Sequence, residues 1–286
     1  MTEVPDTPEG PSRPTRPPLV DAPLPREVRE TLAPLERINR SGLALDASFE
    51  FFPPRTVEAA ERLDATAERL RDLDPRFVSV TYGAAGTTRT ETLDAVVALQ
   101  RRGFRVAAHL TCVAHARAEL LELARRYRRL GVSRIVALRG DLPPAGARPA
   151  RALPHAADLV RLLRDEGIAE VLVAAFPEGH PESGFDLRRE IENLKRKEAA
   201  GATGAITQFA FDNEVLLRYV DRARAAGVTI PITPGILPVT NVEQTRRFAQ
   251  SVGASVPRWL ERVLDGLDDD PATRDLVAAA IVAEQC

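Results

Sequence analysis

The chain has 286 residues, 44% of them apolar, and 39 basic against 41 acidic side chains leave a net charge of −2. That is material for one large domain or two small ones, and a near-neutral balance without a basic block argues against a nucleic-acid binder that works by neutralising phosphates. With only Cys112 and Cys286, no CxxC pair, no apolar signal-peptide core and no run near the roughly 18 apolar residues of a membrane span, the sequence reads as a soluble cytoplasmic protein without disulfides or metal knuckles.

The first 25 residues contain eight prolines among Thr, Glu, Asp and Arg, too little apolar surface to offset the cost of ordering, so 1–25 is expected to be a disordered Pro-rich tail. From 26 to 40, Val28, Leu32, Leu35 and Ile38 recur at spacings of three and four and predict an amphipathic capping helix. Beyond it, β-rich runs at 47–52, 77–82, 105–110, 134–138, 170–176, 205–209 and 230–236 alternate with helical patterns at 57–73, 88–102, 117–130, 157–167, 187–200 and 214–226. This alternation means a parallel α/β sheet, and the lack of a Gly-rich dinucleotide turn favours a (βα)8 TIM-type barrel over a doubly wound sheet. The stretch 257–286 reads as helical, and no eighth strand is legible. Residues 26–286 are expected to form a single domain.

Barrel strands should be almost continuously apolar, so polar residues at their C-terminal ends mark the place for a site. In Ser48-Phe49-Glu50-Phe51-Phe52 the alternation puts Glu50 on the face opposite Phe49 and Phe51. Desolvation there would raise its pKa and suit it to general acid work, whereas pairing with a buried Arg would make it structural. The small-residue turn after Thr81-Tyr82 is a helix cap or a place where a ligand approaches the backbone. His109-x2-Cys112-x2-His115 has a metal-like spacing but too few converging ligands, so His109 reads as a hydrogen-bond donor at a strand end. Arg139-Gly140-Asp141 delivers two opposite charges into a long loop, a salt bridge or a ligand site. Gln208 in a buried strand can donate and accept at once, as the edge of a heterocycle requires. The only lysines, Lys195 and Lys197, share one helix, on a solvated face or on a phosphate.

Taken in order, SFEFFPP, FVSVTYGAAG, AAHLTC, IVALRGDLPP, VAAFPEGHPE, NLKRK, GATGAITQF and PGILPVTN resemble segments of the methylenetetrahydrofolate reductases over about residues 47–282. The resemblance implies a (βα)8 barrel, an oxidoreductase acting on a CH–NH group that reduces 5,10-methylenetetrahydrofolate to 5-methyltetrahydrofolate with NADH or NADPH. It implies Glu50 as general acid, and substrate binding by Asp141, Gln208, Gln244 and Phe248. It also implies an FAD held by Thr81, His109, Arg139, Gly140, Phe176, His180, Asn193, Arg196 and Lys197. Phe176 stands where the family usually has Tyr, His155 where an aromatic is usual and Glu190 where Asp is, while Ala210 replaces one aromatic and the loop after Pro144 is longer. Two hydride routes therefore stay open, relay by FAD or direct passage from the nicotinamide. A different class of reading is a catalytically silent folate- or nucleotide-binding paralogue or accessory subunit, against which Glu50 speaks. NADH against NADPH, the oligomeric state and the role of the tail are not legible.

Overall fold

The computed structural model describes residues 46–83, 89–113, 115–141, 152–267 and 269–286. The tail over 1–25, the helix over 26–40 and the loop after Pro144 lie outside the described residues.

Seven strands form one sheet: β1 (Ser48–Phe51), β2 (Phe77–Val80), β3 (Val106–Thr111), β4 (Arg134–Leu138), β5 (Glu170–Ala175), β6 (Gly204–Phe209) and β7 (Ile232–Gly235). They are all parallel and hydrogen-bonded in chain order from β1 to β7. Between them run α1 (Val57–Leu70), α2 (Arg89–Arg101), α3 (Arg117–Arg129), α4 (Ala156–Asp165), α5 (Leu187–Ala199) and α6 (Asn213–Ala225). A strand order that never reverses, joined by crossovers of one hand, puts every helix on the same side of the sheet. The other side is the inner face of a barrel-type sheet.

The register shows which residues share that inner face. Glu50 pairs with Ser79, Ser79 with Ala107, Ala107 with Arg134 and Arg134 with Glu170, while His109 pairs with Val136 and Val136 with Leu172. The alternate residues, such as Val78, Leu110, Ile135 and Val173, are buried in the large core beneath the helices. Inside, Phe77, Ala107 and Val136 cluster with Leu138, Leu172 and Ile206. At the start of β4, Arg134 lies over the Phe77 ring at 4.3 Å and its Nη2 donates to Glu170 at 2.7 Å. This ion pair closes the end of the inner face remote from the C-terminal loops.

The expected (βα)8 barrel is thus seen as seven strands among the described residues, with β1 and β7 as its two edges. After β7 the chain turns helical as α7 (Val242–Val252), α8 (Arg258–Leu264) and α9 (Pro271–Gln285), packing with Phe209, Phe211 and Val239 into a second core. The helical pattern expected over 257–286 is interrupted because α9 starts afresh: Asp270 accepts from the Thr273 N–H (3.2 Å), and Pro271 occupies the first turn, where its missing N–H costs nothing.

Candidate active site

Glu50 projects from β1 onto the inner face and His109 from β3, two strands away. Strands lie about 4.8 Å apart, so the two side chains must reach over β2. The residue between them there is Ser79, small and buried, and across it Glu50 Oε2 lies 3.4 Å from His109 Nε2. Half of the Glu50 side chain (52%) is open to solvent, whereas His109 is buried. Burial raises the Glu50 pKa above the ordinary carboxylate value and pushes His109 down to about 4. Burial thus favours the protonated form of Glu50 relative to a free carboxyl group, and leaves the imidazole uncharged at neutral pH. Among the described residues the group within ion-pair range of Glu50 is this histidine and not an arginine.

Thr81 follows β2 directly; its N–H donates to the Phe51 carbonyl (2.9 Å) and its own carbonyl accepts from Thr92 Oγ1 (3.0 Å). After β4, Arg139 donates through Nη2 to Glu182 Oε1 (2.6 Å) and through Nε to the Gly140 carbonyl (3.1 Å). The Glu182 hydrogen bond raises the Arg139 pKa further and lowers that of Glu182. Gly140 has φ +84°, and a Cβ placed on it would lie 2.8 Å from Thr111 Cβ. The backbone there is left-handed and pressed onto a strand end, which only glycine accepts without displacement. Asp141, exposed, is the last described residue before the long loop.

Behind β5, Phe176 meets the His180 ring edge-on at 4.7 Å. His180 Nδ1 accepts from the Glu182 N–H (3.2 Å). From α5, Asn193 donates to Glu190 (3.4 Å) and accepts from Arg196, and Lys197 Nζ donates to the Ala174 carbonyl (2.8 Å), 5.8 Å from the Phe176 ring centre. Burial lowers the Lys197 pKa to about 8; Glu190 pulls it up, and Arg139 and Arg196 push it down. Lys197 is therefore held beside Ala174 and Phe176 with two further cations near it, while Lys195 pairs with Glu192 on the surface at 3.4 Å. Such a cluster suits an anion of more than one charge, as a diphosphate is.

Gln208 sits near the C-terminal end of β6 at a register shift, and its Oε1 accepts from the Phe209 N–H (3.0 Å), so the acceptor half of its amide is engaged by the backbone. Phe248 on α7 lies 5.3 Å from the Phe209 ring at 35°, with 42% of its surface exposed. Gln244, one turn earlier, donates its backbone N–H to the N-capping Asn241 (2.7 Å). The expected residues thus fall at and after the C-terminal ends of β1 to β6, on α5 and on α7.

Two participants had no signal in the sequence. Thr111, buried beside Gly140, has an Oγ1 without a hydrogen-bond partner among the described residues, as does His109 Nε2. Glu182 meets Arg139 across 43 positions of sequence. Two orphaned polar atoms on one inner face are the feature a bound polar ligand would satisfy. The His-x2-Cys-x2-His run splays, with His109 facing Glu50, His115 facing Tyr82 at 2.8 Å, and the Cys112 Sγ donating to the Arg139 carbonyl at 3.6 Å. Among the described residues no three His, Cys, Asp or Glu side chains converge as metal ligands would, and no helix is long and apolar enough to cross a membrane.

A family model described as methylenetetrahydrofolate reductase matches residues 36–286. The chain is 46% identical over 241 residues to the 5,10-methylenetetrahydrofolate reductases of Pectobacterium carotovorum subsp. carotovorum and Escherichia coli (strain K12), covering 84% of this chain and 80% of each relative. It is 39% identical over 249 residues to that of Buchnera aphidicola subsp. Schizaphis graminum, covering 87% and 83%. Among solved structures, an uncharacterized protein from Clostridium thermocellum that binds two copies of 5-methyl-5,6,7,8-tetrahydrofolic acid matches with a TM-score of 0.59 at 18% identity, covering 87% of this chain and 86% of that one. At that identity the likeness is one of fold.

Proposed function

We propose the following for this chain, which belongs to the methylenetetrahydrofolate reductase family: it reduces 5,10-methylenetetrahydrofolate to 5-methyltetrahydrofolate, with NADH or NADPH as the source of hydride and Glu50 as the general acid. The observation that carries the acid assignment is the placement of Glu50 on the inner face, its pKa raised by burial, beside the neutral His109. Protonation of the folate N10 breaks its bond to the bridging methylene and leaves an iminium at N5. One hydride added to that carbon completes the methyl group, so one proton and one hydride are consumed per turnover. Glu50 supplies the proton, because a carboxyl group whose pKa burial raises keeps its proton to higher pH than a free one. His109 Nε2, at 3.4 Å, faces the carboxylate left behind. Asp141 and Gln208 are suited to the polar edge of the pterin, and Phe248, stacked towards Phe209, offers an aromatic wall.

The residues present also fit FAD. Lys197, Arg139 and Arg196 would take its diphosphate, and Thr111 Oγ1 and His109 Nε2 have unmet hydrogen-bonding capacity. When bound, such a flavin supplies a relay for hydride between nicotinamide and folate. NAD(P)H carries a diphosphate too, so the cations alone suit either route. The visible absorption spectrum of the purified protein, before and after adding FAD and removing the excess, separates them. A retained flavin band bleached by NADH and restored by methylenetetrahydrofolate supports the relay; a colourless protein that oxidises NADH in the presence of methylenetetrahydrofolate supports direct transfer. A protein inactive under both conditions would overturn the reductase reading in favour of a silent binding paralogue.

A further inference from the structure

We propose that Tyr82 and His115 are positioning residues for the reaction, their hydrogen bond tying the end of β2, which carries Thr81 and is bonded to the end of β1 beside Glu50, to the segment that follows β3 and His109; this rests on the reductase reading above. Alternation along β2 puts Phe77 and Ser79 on the inner face and turns Tyr82 the other way, where it is buried in the core under the helices. There its hydroxyl lies 2.8 Å from His115 Nε2, with the rings edge-on at 5.7 Å. His115, 5% exposed, stands between β3 and α3.

The far nitrogen of that ring decides the direction of the bond. Glu119 Oε2 accepts from the Ala116 N–H (2.8 Å), which caps α3, and the same oxygen is 3.8 Å from His115 Nδ1. At that distance the carboxylate makes no hydrogen bond to the ring, but its charge favours the tautomer protonated at Nδ1, in which Nε2 accepts from the Tyr82 hydroxyl. The chain of contacts then runs inward. Tyr82 is bonded covalently to Thr81, the Thr81 N–H donates to Phe51 (2.9 Å), and Phe51 follows Glu50. Thr92 holds the Thr81 carbonyl from the helix side at 3.0 Å. Among the described residues the charged or ring partner of the Glu50 carboxyl group is His109, so its placement there depends on where the end of β1 is held. A proton donor displaced by a fraction of an ångström loses rate much faster than it loses substrate affinity.

Steady-state kinetics with NADH and methylenetetrahydrofolate on Tyr82→Phe, His115→Ala, His115→Gln and the Tyr82→Phe/His115→Ala double variant, alongside thermal unfolding of each, tests this. Each of Tyr82→Phe and His115→Ala should lower kcat about tenfold with KM within about twofold, and the double variant should be no slower than the singles. His115→Gln, whose amide oxygen can accept from Tyr82 in place of Nε2, should recover most of kcat. An active wild type with Tyr82→Phe at full kcat would overturn the proposal alone, as would His115→Gln no better than His115→Ala at equal folded fraction. A wild type without reductase activity would overturn the reductase reading and this inference with it.

Discussion

Glu50 Oε2 and His109 Nε2 face one another at 3.4 Å across the width of β2, with buried Ser79 between them. The distance is that of an ion pair, but the shifts are not those of one. An ion pair would lower the carboxyl pKa and raise that of the imidazole; here burial raises the first and pushes the second to about 4. The shifts are those of two groups whose charged forms burial disfavours, and the upward shift of Glu50 is the direction a proton donor to folate needs.

Glu50→Gln keeps the shape and a hydrogen-bond donor but has no transferable acid proton. It should lower kcat for methylenetetrahydrofolate reduction by at least about 100-fold, the usual scale for a general acid, while folate binding measured by fluorescence titration changes little. Full activity in this variant would end the acid assignment.

His109 makes stability depend on pH. Its folded pKa of about 4 lies below the ordinary histidine value of 6.5, so between these pH values the unfolded chain binds a proton that the folded one does not. Stability contributed by the neutral ring is present above pH 6.5 and is lost as pH falls towards 4, by roughly 3 kcal/mol over the window. Urea unfolding at intervals across that range should show the decline, and His109→Asn should flatten it. A profile without that decline would mean that His109 titrates in the folded protein as it does in the unfolded chain.

The strands and helices were legible because each reading rests on local pattern: β-branched runs and helical periods survive tertiary packing when every helix has the same sheet to cover. The inward side of β1 was legible too, since a glutamate alternating with phenylalanines admits one orientation. What joins Glu50 to His109 was not, for it depends on Ser79 being small on a strand between them. Nor was the Arg139–Glu182 pair, which appears in the sequence as two unrelated charges until sheet order brings the loops after β4 and β5 together. The metal-like spacing of His109, Cys112 and His115 could be weighed in the sequence itself, because side chains along a strand end alternate between its two faces and so do not converge.

Gly140 offers a test of how closely the loop after β4 is fitted. With φ at +84° and Thr111 Cβ 2.8 Å from where a Cβ would be, Gly140→Ala meets both backbone strain and a steric clash. About 2 kcal/mol is expected, a fall in melting temperature of several degrees for a chain of this size. Because the loop also carries Arg139 and Asp141, ligand affinity should fall with it. A melting temperature unchanged by the substitution would show that the loop shifts freely.

Lys197 can be followed directly, since a chain labelled with ¹³C-lysine has only two resonance sets, from Lys195 and Lys197. One of them should titrate with a midpoint near 8 and disappear in Lys197→Met. Its folded pKa lies below the ordinary lysine value of 10.5, so the unfolded chain binds more protons between these pH values and stability should rise with pH across that window. If the cations near Lys197 hold a diphosphate, adding FAD or NADH moves the midpoint upward, because the anion favours the charged amine and offsets the repulsion from Arg139 and Arg196. By linkage the same ligand must bind more weakly as pH rises above about 8, and Lys197→Met should weaken it at pH 7 while flattening that dependence. A midpoint that does not move when either ligand is added would place the diphosphate elsewhere.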